Sequence, residues 1–400
     1  LSALAIGSSV LVAQAVGGGS FDRASILAPQ ALVWSVLFSL PLALGGFLLS
    51  APIMSVFGLE PTVTRIGTEY LQVTMGTMVV LVGLFIASGV LRGAGDTRTP
   101  MLVTALANVV NAVLAYGWIY GHFGLPELGP VGSAWAAFVA RALALALIII
   151  VLWRGVAGVT IGGWRGWRPD TSVARGVLAI GMPAALEQVL TSAAFFTLTL
   201  IVARVGTTTL AAHQIAFTAL SFSFLPGFGF AIAATALVGQ SVGAKRIEEG
   251  AAAASVATVW AIGWMSAIAL VIFVFAEPTM RLFVSEPDVI AAGAGGLRGG
   301  ALAPPFWAVL FVLAGALRGT GDTRTPLVVG SIGIWMTVGL AYVLVNFVGG
   351  GLPMVWASFL AIAPLTAFIY RRRFRRAVET FKQRMAAATS ETPAPRGIEG

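Results

Sequence analysis

Long stretches of this 400-residue chain contain no Asp, Glu, Lys or Arg, among them Ala24 to Leu59, Tyr70 to Leu91, Val205 to Ala244, Gly250 to Ala276 and Pro326 to Tyr370. About 20 apolar residues suffice to carry a helix across a bilayer, so the longest of these runs must each hold two crossings. Backbone N–H and C=O groups find no water in the hydrocarbon region, which leaves helices and closed barrels as the structures able to span it. The runs lack the strict alternation of barrel strands. The predicted fold is therefore all-α and integral to the membrane. Composition agrees: 58% of residues are hydrophobic and only 10% charged, where soluble domains carry roughly a quarter charged residues.

Breaks marked by charge or by Gly and Pro give eleven predicted spans, at 1–17, 27–50, 70–91, 101–121, 131–153, 176–205, 209–240, 251–275, 290–316, 327–347 and 353–370. Loops rich in Lys and Arg stay cytoplasmic, and the tail holds Arg371, Arg372, Arg373, Arg375, Arg376, Lys382 and Arg384. The C-terminus is expected inside, and the chain is expected as a multi-pass protein of the inner or plasma membrane. Alternating back from the tail puts eleven basic residues in inside loops, among them Arg92, Arg98, Arg318 and Arg324. Only Arg65, Arg281 and the border residue Arg204 fall outside. The net charge of +8 is thus explained by topology, because the basic residues sit at membrane edges rather than on one soluble face; no nucleic-acid partner is expected. Beyond Ala386 the Pro-rich polar end reads as a disordered tail. There is no cysteine, so neither disulfides nor thiolate metal sites are available. No signal peptide precedes the first apolar run, and the sequence, beginning at Leu1, is expected to start inside a longer protein.

The chain repeats itself. LRGAGDTRTP at Leu91 to Pro100 recurs as LRGTGDTRTP at Leu317 to Pro326, an offset of 226. The same ungapped offset pairs Leu11, Gln14 and Gly17 with Leu237, Gln240 and Gly243, and Pro52, Met54, Glu60 and Pro61 with Pro278, Met280, Glu286 and Pro287. The unit holds six spans, an even number, so both copies enter the membrane in the same direction, and both GDTRTP loops fall inside. Parallel repeats of this kind are used by secondary transporters. The span at 176–205 has its counterpart before Leu1, so twelve helices are expected in all, the first absent here. The predicted organisation is an N-terminal lobe at 1–153, a cytoplasmic linker at 154–175, a C-terminal lobe at 176–370, and at 371–400 a tail that is basic and then disordered.

In the segment from Arg92 to Pro100 the glycines and proline end one helix and begin the next. Asp96 and Thr97 suit capping, and Arg92 and Arg98 suit lipid phosphate or helix-end carbonyls. The loop, with its copy holding Arg318, Asp322 and Arg324, reads either as a structural cytoplasmic turn or as a gate. Of sixteen acidic residues, Glu187 alone lies well inside an apolar helix. A carboxylate there is costly unless protonated, paired or ion-bound, which is the chemistry of cation or proton exchange. Gln188 and Thr191 flank it, Thr191 one turn on along the same face, as ion-site partners or as interhelical hydrogen-bond glue. Arg141 and Arg298, each within a span, and His213 are the possible charge or relay partners of Glu187. Pro183, Pro226, Pro304 and Pro305 interrupt predicted helices, and Pro304 and Pro305 face Met78 and Val79 in the repeat, so the halves differ there. Phe195, Phe196, Phe222, Phe224, Phe306 and Trp307 either line a pocket for flat cations or simply pack. No G-x-x-x-x-G-K-[ST] motif is present, so ATP is not the direct energy source, and the residues for a membrane enzyme are lacking.

The two GDTRTP copies, LVAQAVGGG and LVGQSVGAKR, NVVN at Asn108 to Asn111, GMPAALEQ at Gly181 to Gln188 and VGTTTLAAHQIAF at Val205 to Phe217 together resemble the multidrug and toxic compound extrusion (MATE) antiporters of bacterial type, over nearly the whole chain. The resemblance implies two six-helix lobes in a V around a central cavity. It also implies efflux of small organic, often cationic compounds in exchange for Na+ or H+ by alternating access. No cofactor is implied beyond the coupling ion, and a monomer among membrane lipids is expected. Similar family members carry a functional acid in the seventh helix, typically farther beyond its proline than Glu187 lies beyond Pro183. Others bear one in the first helix or in the tenth, and the tenth here, 290–316, has none. A lipid-linked precursor flippase of the same superfamily and a passive channel are the alternatives.

Overall fold

The computed structural model describes residues 2–349 and 351–390. All of its regular elements are helices: α1 (Ser2–Gly17), α2 (Phe21–Leu48), α3 (Ser50–Ser55), α4 (Pro61–Gly76), α5 (Met78–Ala94), α6 (Arg98–Tyr120), α7 (Pro130–Arg154), α8 (Thr171–Ala203), α9 (Thr207–Gly243), α10 (Ile247–Val274), α11 (Ala276–Arg281), α12 (Pro287–Gly300), α13 (Pro304–Gly319), α14 (Arg324–Phe347) and α15 (Leu352–Ser390). Eight are long and apolar enough to cross a bilayer, and the pairs α4–α5 and α12–α13, bent by 41° and 54°, each qualify as one broken span. With the shorter apolar helix α1, every predicted span finds its helix or bent pair. The protein is a multi-pass, all-α membrane protein.

The duplication is visible in the element boundaries. Helices α2 and α10 begin and end at positions 226 apart, as do the short helices α3 and α11, which the sequence reading did not foresee. Helices α4 and α12, and α6 and α14, begin in the same register. Packing repeats too. On α5 a Cβ added at Gly89 would stand 3.0 Å from the Ala5 carbonyl oxygen, and one at Gly93 2.6 Å from that of Ser9. On α13, a Cβ added at Gly315 would run into the Ala231 carbonyl oxygen, and one at Gly319 would stand 2.7 Å from that of Thr235. These are the same contacts one repeat later, α5 crossing α1 and α13 crossing α9. Thr235 reinforces the second crossing by donating its hydroxyl to the Gly315 carbonyl at 2.9 Å.

The prolines behave differently from expectation. Helices α8 and α9 run on through Pro183 and Pro226, while Pro304 and Pro305 open α13 after the bend. The first half bends at the equivalent place without proline, where the Thr77 hydroxyl bonds back to the Val73 carbonyl at 2.7 Å, a contact that bends helices. The broken span therefore belongs to the repeated frame rather than to the prolines.

Two compact units divide the chain, Leu1–Met182 and Pro183–Gly400, with the boundary inside α8. In the first, buried residues of α1, α2, α5 and α7 form the core together with Val159 and Ile161 of the segment after α7. That segment is more than a linker. The buried Gln30 side chain of α2 donates to the backbone carbonyls of Gly166 (2.7 Å) and Arg168 and accepts from the Asp170 N–H at 3.0 Å. The Asp170 carboxylate in turn accepts from the Ser172 N–H at 2.8 Å, capping α8. Hydrogen bonds from Ser172 hold the Asp170 carboxyl below its ordinary range, so this cap is intact above that range and is lost as pH falls through the depressed value.

In the second unit α15 continues past the predicted span 353–370, through the first residues of the expected disordered tail, to Ser390; Glu391–Gly400 lie outside the described residues. Phe374 is buried and Ala377, Val378 and Phe381 pack on the core. This i, i+3, i+4, i+7 stripe keeps the tail helical, while the arginines at 371, 372, 373, 375 and 376 face outward.

Gly315→Ala should lower stability by about 1–3 kcal/mol, because a backbone carbonyl must move. Gly263→Ala on α10, with nothing within 4 Å, should be neutral or slightly stabilising. Thermal unfolding of the purified protein measures both. Gln30→Ala should leave buried carbonyls unpaired at about 1–3 kcal/mol and raise protease cleavage between Gly155 and Asp170 several-fold.

Candidate functional site

Helix α8 carries Glu187 into the second unit, one turn beyond Pro183. Helix α13 ends at the GTGDTRTP turn, and its last turn supplies Arg318. The two meet: Arg318 Nη2 donates to Glu187 Oε2 at 2.7 Å, with the side chains 20% and 14% exposed respectively. A third helix closes over the pair. Tyr370 of α15 is 2% exposed and donates its hydroxyl to the Pro326 carbonyl in the first turn of α14 at 3.1 Å. Gly330 of α14 leaves the room this needs, since a Cβ there would lie 2.9 Å from Tyr370 Oη and 3.4 Å from Glu187 Oε1.

A largely buried carboxylate and guanidinium each lose hydration, and their attraction offsets that loss only while both are present. The pair is also incompletely satisfied, because Arg318 Nε is buried with no hydrogen-bond partner. In a low-dielectric site such a network is sensitive to the charge of either member. The arrangement therefore makes the charge of each member depend on the other, beside the turn between α13 and α14.

The turn is built alike in both halves. Gly95 and Gly321 take left-handed backbone angles, φ 99° and 90°, as helix C-terminal glycines do. Asp96 then accepts from the N–H groups of Arg98 (3.0 Å) and Thr99 (2.9 Å). Asp322 accepts from the Thr325 N–H (2.9 Å) and hydroxyl (2.6 Å). The aspartates cap; Thr97 makes no side-chain cap. Arg98 and Arg324 are exposed helix-start residues. Arg92, the counterpart of Arg318, has no carboxylate partner among the described residues.

Other expected partners stand elsewhere. Within the second unit Glu187 pairs with Arg318 rather than with Arg298; the face of α8 that bears the carboxylate meets the end of α13. Arg141 is half-buried on α7 of the first unit, and Arg298 is exposed on α12. No hydrogen bond joins Glu187 to Gln188, which is exposed, or to Thr191, which is half-buried. His213 is buried near the start of α9, its ring centroid 5.7 Å from that of Trp356, with Nδ1 unpartnered. At about 1.5 Å per residue, Glu187 lies roughly 24 Å from the end of α8 and His213 roughly 9 Å into α9, so the two occupy different depths. Phe195, Phe224 and Trp307 belong to the aromatic core of the second unit, with Phe224 edge-on to Trp307 at 4.8 Å, whereas Phe196 and Phe222 are exposed. Among the described residues no three His, Cys, Asp or Glu cluster as metal ligands would.

Sequence reasoning found Glu187 and the loop of Arg318 separately but missed Tyr370 and Gly330. Their only signals were a tyrosine at the last position before the tail arginines and one glycine among 48.

Arg318→Met should strand the carboxylate and destabilise the protein by about 3–5 kcal/mol. The double variant Arg318→Met, Glu187→Gln should regain most of that loss. Unfolding midpoints of the four proteins in the cycle decide it, and additive effects would mean the pair is uncoupled.

Comparison with known proteins places this frame. The family model MatE matches residues 1–117 and 183–343. The probable multidrug resistance protein NorM of Thermotoga maritima is 31% identical over 368 residues, covering 90% of this chain and 78% of that protein. NorM of Bradyrhizobium diazoefficiens is 31% identical, with 92% and 80% covered. The solved structure described as MATE in the straight conformation has a TM-score of 0.89 at 22% identity, covering 96% of this chain and 85% of that one. An outward-facing multidrug resistance MATE transporter of the MOP superfamily has a TM-score of 0.86 at 23% identity, covering 96% and 84%.

Proposed function

This chain belongs to the MATE family of membrane transporters, and from that premise we propose that it is a secondary active efflux transporter. It exports small organic, often cationic compounds in exchange for Na+ or H+ by alternating access. Family membership makes it a transporter rather than an enzyme. The relatives' names as multidrug resistance proteins support organic compounds as the exported class.

The observation that carries the coupling is the Glu187–Arg318 pair. The carboxylate can hold the guanidinium or the coupling ion, and holding the ion neutralises the charge on which Arg318 depends. Arg318 then loses its partner in a poorly solvating site and must move or find another, and it lies three residues before the left-handed Gly321 that turns α13 into α14. Ion occupancy at Glu187 is thereby conveyed to the GDTRTP loop, which joins the coupling acid and the gate in one device. Gln188 and Thr191 supply polar groups on and beside the face that the incoming ion would use. The lobes 1–153 and 176–370 are the bodies that move, with the basic tail on the cytoplasmic side, and a single chain suffices for the cycle.

Dye efflux from proteoliposomes under imposed Na+ or H+ gradients tests this. One inward gradient should drive efflux, and Glu187→Gln should reduce the driven rate at least about tenfold while exchange of dye at equilibrium persists. Full-rate driven efflux in Glu187→Gln would remove Glu187 from coupling. If no gradient drives efflux of any compound, the exporter reading fails.

A further inference from the structure

At the end of the second unit away from Arg318, helices α11 and α12 line an open cavity of about 650 Å³. Its walls are of two kinds. Val284, Ile290 and Ala294 supply apolar surface, and Glu277, Arg281 and Arg298 supply charge. Arg281 and Glu277 satisfy one another, Nη2 to Oε1 at 2.6 Å. Arg298 is exposed to the cavity and has no ion-pair partner among the described residues. It stands about 16 Å along α12 from Pro287 at 1.5 Å per residue, three residues before the bend that breaks the span. A cation at that depth is costly unless it faces water or an anion, and such residues mark sites by default.

The internal repeat supplies a control. The frame around the cavity is duplicated: α3 and α4 mirror α11 and α12, Glu60 and Pro61 mirror Glu286 and Pro287, and Gly67 abuts Met54 as Gly293 abuts Met280. The charges differ. Glu277, Arg281 and Arg298 correspond to Ala51, Ser55 and Gln72, while the first half places its own pair, Arg65 and Glu69 at 2.9 Å, at the positions of Ala291 and Gly295. The same scaffold thus folds without them, so Arg298 is not there to hold the helices together.

We propose that this cavity binds the headgroup of one anionic phospholipid. The three charges leave one net positive charge, which matches a single phosphodiester, and a guanidinium recognises phosphate oxygens in a bidentate fashion. The apolar wall of Val284, Ile290 and Ala294 then takes the start of an acyl chain, a surface for which a soluble anion has no use. The site is separate from the Glu187–Arg318 pair and does not rest on the transport reading.

Native mass spectrometry of the full chain in micelles doped with phosphatidylglycerol or phosphatidylcholine tests it. Wild type should retain one phosphatidylglycerol and no phosphatidylcholine. Arg298→Gln should reduce retention at least about fivefold, Arg298→Lys should keep part of it, and Ala291→Trp should abolish it by filling the cavity with its charges intact. A variant with Arg371, Arg372 and Arg373 changed to Gln should bind as wild type does. Undiminished retention in both Arg298→Gln and Ala291→Trp overturns the proposal, as does loss in the tail variant alone. Displacement by an equal concentration of inorganic phosphate would show a free-anion site and overturn the lipid assignment.

Discussion

In hydrocarbon a helix gains nothing by hiding a leucine against another helix, because the lipid is as apolar as the neighbour. Association rests on how closely backbones approach and on the few hydrogen bonds between them. The α5–α1 and α13–α9 crossings meet that condition with two glycines four residues apart, each set against a carbonyl oxygen. The rest of each unit is arranged about its crossing. α13 held against α9 places Arg318 at the end of its helix, and α5 held against α1 places Arg92. The bent spans that lead into α5 and α13 then take up the geometry on the other side of the membrane.

Within the second unit the ion pair is the exception to an apolar interior. A buried pair is weak evidence for stability, since a hydrophobic replacement of both members often does as well. Its meaning lies in its sensitivity. Glu187 and Arg318 come from α8 and α13, Tyr370 and Gly330 from α15 and α14, so a change of charge at one carboxylate bears on four helices. The turn beside it is held by the hydrogen bonds that Thr325 gives to Asp322.

The two halves share a frame and differ in charge. Helix limits, glycine contacts, capping aspartates and even the broken span recur at an offset of 226, whereas the cluster of Glu277, Arg281 and Arg298 does not; the position equivalent to Glu187 lies ahead of Leu1. Features common to both copies answer the demands of packing in lipid. Features of one copy answer something further, which is why the lipid site is sought among them.

Much of this was legible in the chain. Uncharged runs of sufficient length and the requirement for internal hydrogen bonding determined the helical spans, though not the short helices α3 and α11, and the ungapped repeat determined that the halves would match. A single acid inside an apolar helix singled out Glu187. These are properties of composition and period, which act along the chain. Tertiary structure alone decided that Glu187 pairs within its own unit with Arg318 rather than with Arg298, and that α8 and α9 continue through their prolines. It also decided that the segment after α7 is pinned to Gln30 and that the tail stays helical past the predicted span. Each of those depends on the angle at which one helix meets another, and in a lipid bundle that angle is set by side chains and glycines far apart in sequence.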